Sequence, residues 1–207
     1  MTRPPHRRGF TLIEILLVLA VLSLLMVMLL PRFGEFLSRG KVQETRALAQ
    51  ELAGMIDAYN NDSGDYPSCS YKGLPAQPPN DTNTGTESLV AFLAAPTYDG
   101  PKPKESTLLN SDEDRFPRKV TEYAVDDAFE VRDAWGNPFA YFHAAEYERK
   151  QSYRCEGEAG PGGDEEVEAR RSKKTGNFLR PQDYQVISAG RDGEFGTPDD
   201  LVYGDEP

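Results

Sequence analysis

Apolar residues are arranged along this chain in three different ways. Over residues 10–30 they run almost unbroken, FTLIEILLVLAVLSLLMVMLL, with Glu14 as the one charged residue. About 20 mostly apolar residues are what a helix needs to span a bilayer. Pro31 follows, and a proline inside a helical run removes a backbone donor and kinks the axis. The second arrangement comes next: Leu48, Leu52, Met55, Ile56 and Tyr59 recur at helical period, with Gln43, Glu44, Arg46, Gln50, Glu51 and Asp57 outside the stripe. A one-sided stripe is the mark of a helix packed on a domain. Residues 60–64 (NNDSG) are a stop signal. The pattern predicts one helix from Phe10 to about Asn60, roughly 75 Å long at 1.5 Å per residue.

The third arrangement is short and broken. Residues 87–94 (ESLVAFLA) read as a short helix. After the Gly136-Asn137-Pro138 turn, residues 139–142 are aromatic and strand-like, and residues 184–188 (YQVIS) alternate weakly as a last strand. Trp135 is expected to pack on the long helix as an apolar anchor. Residues 75–85 are rich in turn formers, and 96–117 in proline and charge. Residues 146–174 are charged and glycine-rich, support no element and predict an exposed, mobile loop. The fold class expected is α+β: a long N-terminal transmembrane helix packed on a small antiparallel sheet of three or four strands.

Composition narrows the function. The 207 residues suffice for one modest domain beyond the helix. Mean hydropathy is −0.60 despite the apolar run, so the rest is strongly polar. With 23 basic and 34 acidic residues the net charge is −11. Such a chain is not drawn to nucleic acid or anionic lipid and suits divalent cations better. Arg3, Arg7 and Arg8 precede the apolar run; basic residues stay on the cytoplasmic side, so the remainder lies beyond the membrane. In an oxidising compartment Cys69 and Cys155 could form a disulfide; the alternative is two buried thiols. Catalysis finds little support. The histidines are His6 and His143, with no G-x-S-x-G, no Cys/His cluster and no phosphate loop. His143, beside an aromatic strand, reads as structural.

Gly9-Phe10 stands before the apolar run, whereas a signal peptide has a shorter core with its cleavage site after it. Cutting there would leave the helix on the mature chain, with 20 basic against 34 acidic residues, a net −14. Glu14 then needs an explanation, because a carboxylate at the centre of a membrane helix costs roughly 2.5–3.5 kcal/mol. Either it snorkels to the headgroups or it meets a positive charge, and the new amine of Phe10 is one. Gly9, Phe10, Glu14, the apolar run and Pro31 together resemble the leader of type IV pilins and type II secretion pseudopilins. The resemblance implies that a prepilin peptidase cuts after Gly9 and methylates Phe10. It also implies that Glu14 pairs with the amino terminus of a neighbouring subunit during assembly. Asp65-Tyr66-Pro67-Ser68 resembles the turn after the long helix in that family. Asp133-Ala134-Trp135-Gly136-Asn137-Pro138-Phe139 is similar to the DPWGNPY signature of the major, G-type pseudopilin, with Ala134 where that has proline.

The last motif is SAGRDGEFGTPDD, residues 188–200. Glycines give tight turns and aspartates supply hard oxygens, a combination suited to calcium, which takes six to eight oxygen ligands. An acidic surface turn is the plainer reading. The spacing is not that of an EF-hand. It resembles the calcium loop of the major pseudopilin, which implies one Ca²⁺ held by Asp192, Asp199 and Asp200 with the backbone carbonyls of Ala189 and Thr197.

The expected organisation is a leader (1–9), a transmembrane or filament-core helix (10–31), the soluble half of that helix (32–62) and a periplasmic domain (63–207) with its calcium loop (188–201). The resemblance implies a pilin-like, non-enzymatic structural subunit of a type II secretion pseudopilus. It would be single-pass in a bacterial inner membrane, with its N-terminus cytoplasmic and its C-terminal domain periplasmic. Its partners would be copies of itself, other pseudopilins, the prepilin peptidase and the inner-membrane secretion platform. The alternatives are a type IV pilin or minor pilin for adhesion or motility, and a membrane-tethered periplasmic binding protein or enzyme.

Overall fold

The computed structural model describes residues 10–204, with backbone only between 28 and 37. The chain divides into two compact units, Met1–Gly40 and Lys41–Pro207. Helix α1, Leu12–Ser63, contributes to both. In the first unit its side chains from Leu12 to Val27 are exposed and, Glu14 and Ser23 apart, apolar. Among the described residues no helix is long and apolar enough to cross a membrane. The expected span, 10–31, runs on into residues whose side chains lie outside the described ones, as does Pro31.

In the second unit the stripe on α1 does what its period predicts. Ala49, Leu52, Ala53, Met55 and Ile56 are buried, flanked by the half-buried Leu48 and Tyr59. α1 ends where expected: Gly64 takes the left-handed conformation (φ 82°) that glycine adopts freely, and its N–H donates to Asn60 O at 2.8 Å.

Helix α2, Thr84–Leu93, is buried along its whole length. A 3₁₀ turn, Glu105–Thr107, leads into β1 (Leu108–Leu109), which pairs antiparallel with β2 (Glu130–Val131). The principal sheet has three antiparallel strands in the order β3 (Ala140–His143), β6 (Tyr184–Ser188) and β7 (Leu201–Val202). One face, carrying Tyr141, Tyr184 and Val186, packs with α1 and with Leu89, Val90 and Leu93 of α2. Every residue of the central strand β6 is buried, which is why its alternation is weak in the sequence.

One expectation is corrected here. Residues 146–174 are not without structure: β4 (Gln151–Arg154) and β5 (Asp164–Val167) form an antiparallel hairpin. It covers the second face of the sheet, where Tyr153 and Val167 cluster with Ala140, Phe142 and Ile187. Tyr153 is fully buried; its hydroxyl accepts from Tyr141 N–H (2.9 Å) and donates to Gln151 Oε1 (2.9 Å). The strands are held by this tertiary anchor rather than by local propensity, so polar QSYR and DEEV gave no strand pattern.

Candidate functional site

Two regions carry the candidate chemistry. The first is the start of α1. Thr11 and Glu14 form a capping box: Glu14 Oε2 accepts from Thr11 N–H (2.9 Å) and Thr11 Oγ1 (3.0 Å), while Glu14 N–H donates back to Thr11 Oγ1 (3.3 Å). The signal for it, Thr-x-x-Glu, is present in the sequence. It gives Glu14 a local role and holds its carboxylate at the positive end of the helix, one turn from Phe10. Phe10 is 83% exposed. Gly9 and the rest of 1–9 lie outside the described residues.

The second region joins two motifs far apart in sequence. Asp133 is buried and organises the turn that follows it. Its Oδ1 accepts from Trp135 N–H (2.9 Å) and Asn137 N–H (3.0 Å), and its Oδ2 from Ser188 Oγ (2.6 Å) at the end of β6. Ser188 Oγ in turn accepts from Gly190 N–H (3.1 Å). The turn is tied to α1 through Ala134 N–H, which donates to Thr45 Oγ1 at 3.2 Å. Trp135 itself is buried. Burial holds the Asp133 carboxyl above its usual range, and the hydrogen bonds oppose that. In the sequence Asp133 stands only as the first residue of the Asp133–Phe139 motif; its role as the acceptor that closes the turn is seen in the structure, with Asp-x-x-x-Asn as the local signal.

The C-terminal loop winds around Asp199. Its Oδ2 accepts from the N–H groups of Arg191 (2.8 Å) and Asp192 (3.2 Å), and its Oδ1 from Thr197 Oγ1 (2.6 Å). Partial burial works against ionisation, but these hydrogen bonds prevail and hold the Asp199 carboxyl below its usual range. Gly190 has φ 70°, and a Cβ there would meet Asp199 O at 2.5 Å and Oδ2 at 2.7 Å, so only glycine permits this approach. Asp192 Oδ1 accepts from Glu194 N–H (3.0 Å). Asp200 Oδ2 accepts from Gly196 N–H (2.9 Å) and is ion-paired with Arg170. Ala189 is buried, and Thr197 is half-buried.

The donor set suits a hard cation only in part. The backbone N–H of Asp192 bonds the Asp199 carboxylate (3.2 Å), within the approach that Gly190 leaves open. Asp200 is engaged with Arg170, and the three carboxylates do not bring one oxygen each within 4.8 Å of one another. A cation recruiting all three must compete with that guanidinium.

Cys69 and Cys155 are both free and buried, so no disulfide links them here. Burial pushes both thiols up, that of Cys69 to about 12. His143 is locally bonded: its Nδ1 accepts from Ala145 N–H (3.1 Å) and its Nε2 lies 3.3 Å from Asp65.

Among known proteins, the chain is similar to filament and secretion proteins. The prokaryotic N-terminal methylation motif family matches residues 4–30. The type II secretion system core protein G of Pseudomonas aeruginosa is 29% identical over 136 residues, 66% of this chain and 73% of that protein. Its counterpart in Escherichia coli is 23% identical over 202 residues, 98% of this chain and 94% of that protein. The type IV major pilin protein PilE1 of Neisseria gonorrhoeae is 31% identical over 75 residues, 36% of this chain and less than half of the pilin. No solved structure matches the chain. With the methylation motif at its head, the long helix behind it and a relative that matches almost end to end, the chain is a membrane-anchored, pilin-like protein related to the type II secretion core protein G pseudopilins.

Proposed function

We propose that this chain is a structural subunit of a type II secretion pseudopilus, polymerised to drive protein secretion across the outer membrane. A prepilin peptidase cuts after Gly9 and methylates Phe10. The subunit waits in the bacterial inner membrane, N-terminus cytoplasmic and domain periplasmic, and is taken up with copies of itself and other pseudopilins by the secretion platform.

The observation that carries this reading is the first unit. Along 10–27 α1 exposes apolar side chains all round, among them Phe10, Leu12, Leu17, Leu24 and Val27, each more than 60% exposed. A helix apolar on every side needs lipid or other helices around it. Inserted before processing and bundled after it, the same surface serves both states. The secretion reading is favoured over a pilus because the core protein G relatives match 66% and 98% of the chain, and the pilin only 36%.

One Ca²⁺ belongs to this reading, held by Asp192, Asp199 and the carbonyls of Ala189 and Thr197, with Asp200 joining once it leaves Arg170. The ion would supply the positive charge that closes the acidic loop. The hydrogen bond from Asp192 N–H to Asp199 Oδ2 (3.2 Å), which brings the two residues into one turn, supports it. At a hundredfold excess over Kd, calcium should add about 2.7 kcal/mol of stability, and Asp199→Ala should remove most of that gain.

Deleting the gene in its host tests the function. Secreted enzymes should accumulate in the periplasm, and the full chain should restore export. Undiminished export in the deletion strain would reject the proposal.

A further inference from the structure

Away from the C-terminal loop, three carboxylates from separate elements meet inside the second unit. Glu87 lies in the first turn of α2, Asp112 follows β1, and Glu130 stands in β2 opposite Leu109. One oxygen of each lies within 4.8 Å of the other two. Glu87 is 1% and Glu130 0% exposed.

Neutral donors account for some of these oxygens. Tyr71 Oη donates to Glu87 Oε2 (3.1 Å), Asn83 Nδ2 and Ser111 Oγ to Glu130 Oε1 (2.6 and 3.1 Å), and Asn80 Nδ2 to Asp112 Oδ2 (2.9 Å). Glu87 Oε1 and Asp112 Oδ1 accept nothing, although both are shut off from solvent. The guanidinium that acts on Asp112, Arg154, is taken by Asp164 at 2.7 Å.

A buried carboxylate oxygen without a partner is costly. Side by side, such oxygens repel unless something positive lies between them. The spacing fits an ion. Ligand oxygens sit 2.3–2.6 Å from calcium, so two on opposite sides of it are about 4.6–5.2 Å apart. The donors are all oxygen, which suits calcium and not zinc, a metal that prefers sulfur and nitrogen.

We propose that Glu87, Asp112 and Glu130 bind a calcium ion at a buried site distinct from the C-terminal loop, locking α2 to the β1–β2 pair.

The test uses the full chain in detergent, stripped with chelator and dialysed against radioactive Ca²⁺. Asp199→Ala is introduced first to disable the C-terminal loop. This chain should still bind one Ca²⁺ saturably. Adding Glu130→Gln or Glu87→Gln, each of which preserves volume and an acceptor, should weaken binding by more than about tenfold, the loss that removing even an outer-shell partner causes. Absence of saturable Ca²⁺ binding in the folded Asp199→Ala chain overturns the proposal, whatever the glutamine variants do. Binding that Glu87→Gln and Glu130→Gln together leave unchanged overturns it equally. Because the readout is binding, the result stands apart from whether the chain forms a pseudopilus.

Discussion

Asp133→Ala should be among the most damaging single changes in the second unit. The substitution strands three buried donors: Trp135 N–H, Asn137 N–H and the Ser188 hydroxyl. Each unsatisfied buried group costs about 1–3 kcal/mol, and removing the carboxylate recovers part of this by relieving its own desolvation. A net loss of roughly 3–5 kcal/mol follows. At about 2–4 °C per kcal/mol for a chain of this size, the melting temperature should fall by roughly 10 °C. Trp135 is the one tryptophan in the chain and lies in the affected turn, so its fluorescence reports the transition directly. Asp133→Asn keeps an acceptor for the two backbone donors and should lose less than half as much. Melts of the full chain in detergent would refute the argument if Asp133→Ala stayed within about 2 °C of the wild type.

Glu14→Gln separates the cap from the charge. Glutamine serves a capping box as well as glutamate, so if the charge drives assembly, Glu14→Gln should lose filaments as fully as Glu14→Ala; normal filament yield in Glu14→Gln would assign Glu14 to capping alone. Gly190→Ala should cost about 1–2 kcal/mol for the left-handed backbone and should also displace Asp199, lowering calcium affinity; an unchanged calcium titration would show the loop tolerates a Cβ. The metal-free chain should be less stable in mild base than in mild acid. Burial raises the Glu130 carboxyl to about 8 and, with help from Asp112 and Asp127, that of Asp114 to about 7. Both exceed their unfolded values near 4, so their contribution is complete below about pH 4 and is lost as pH rises through about 7 to 8. Denaturant midpoints in chelator at pH 5.5 and 8.5 would check this, and equal midpoints would contradict it.

What the sequence revealed depended on distance along the chain. α1 was readable because its information is local: an unbroken apolar run, then a stripe at 3.6-residue period, then NNDSG. α2, expected over 87–94 and found at Thr84–Leu93, and the strands β3 and β6 were readable for the same reason. The β4–β5 hairpin was not, because Tyr153 and Val167 are the only apolar residues in its eight strand positions, and what they pack on comes from β3 and β6. The aspartates of the C-terminal loop were singled out by resemblance to a known calcium loop, but the engagement of Asp200 with Arg170 was not legible, since Arg170 lies thirty residues upstream. The Glu87, Asp112 and Glu130 cluster spans 43 positions and has no local pattern at all. The capping box at Thr11 and Glu14 is local and therefore legible as Thr-x-x-Glu at the start of the apolar run.

The central claim is that this chain is a filament subunit built on its processed N-terminal helix. It is tested most directly by overproducing the protein in a host with an intact type II system, shearing the cells, and measuring the intact mass of the subunit in any filaments recovered. The account predicts filaments made of a chain that begins at N-methylated Phe10. Sheared fractions without filaments, or filaments whose subunit retains Met1, would contradict it.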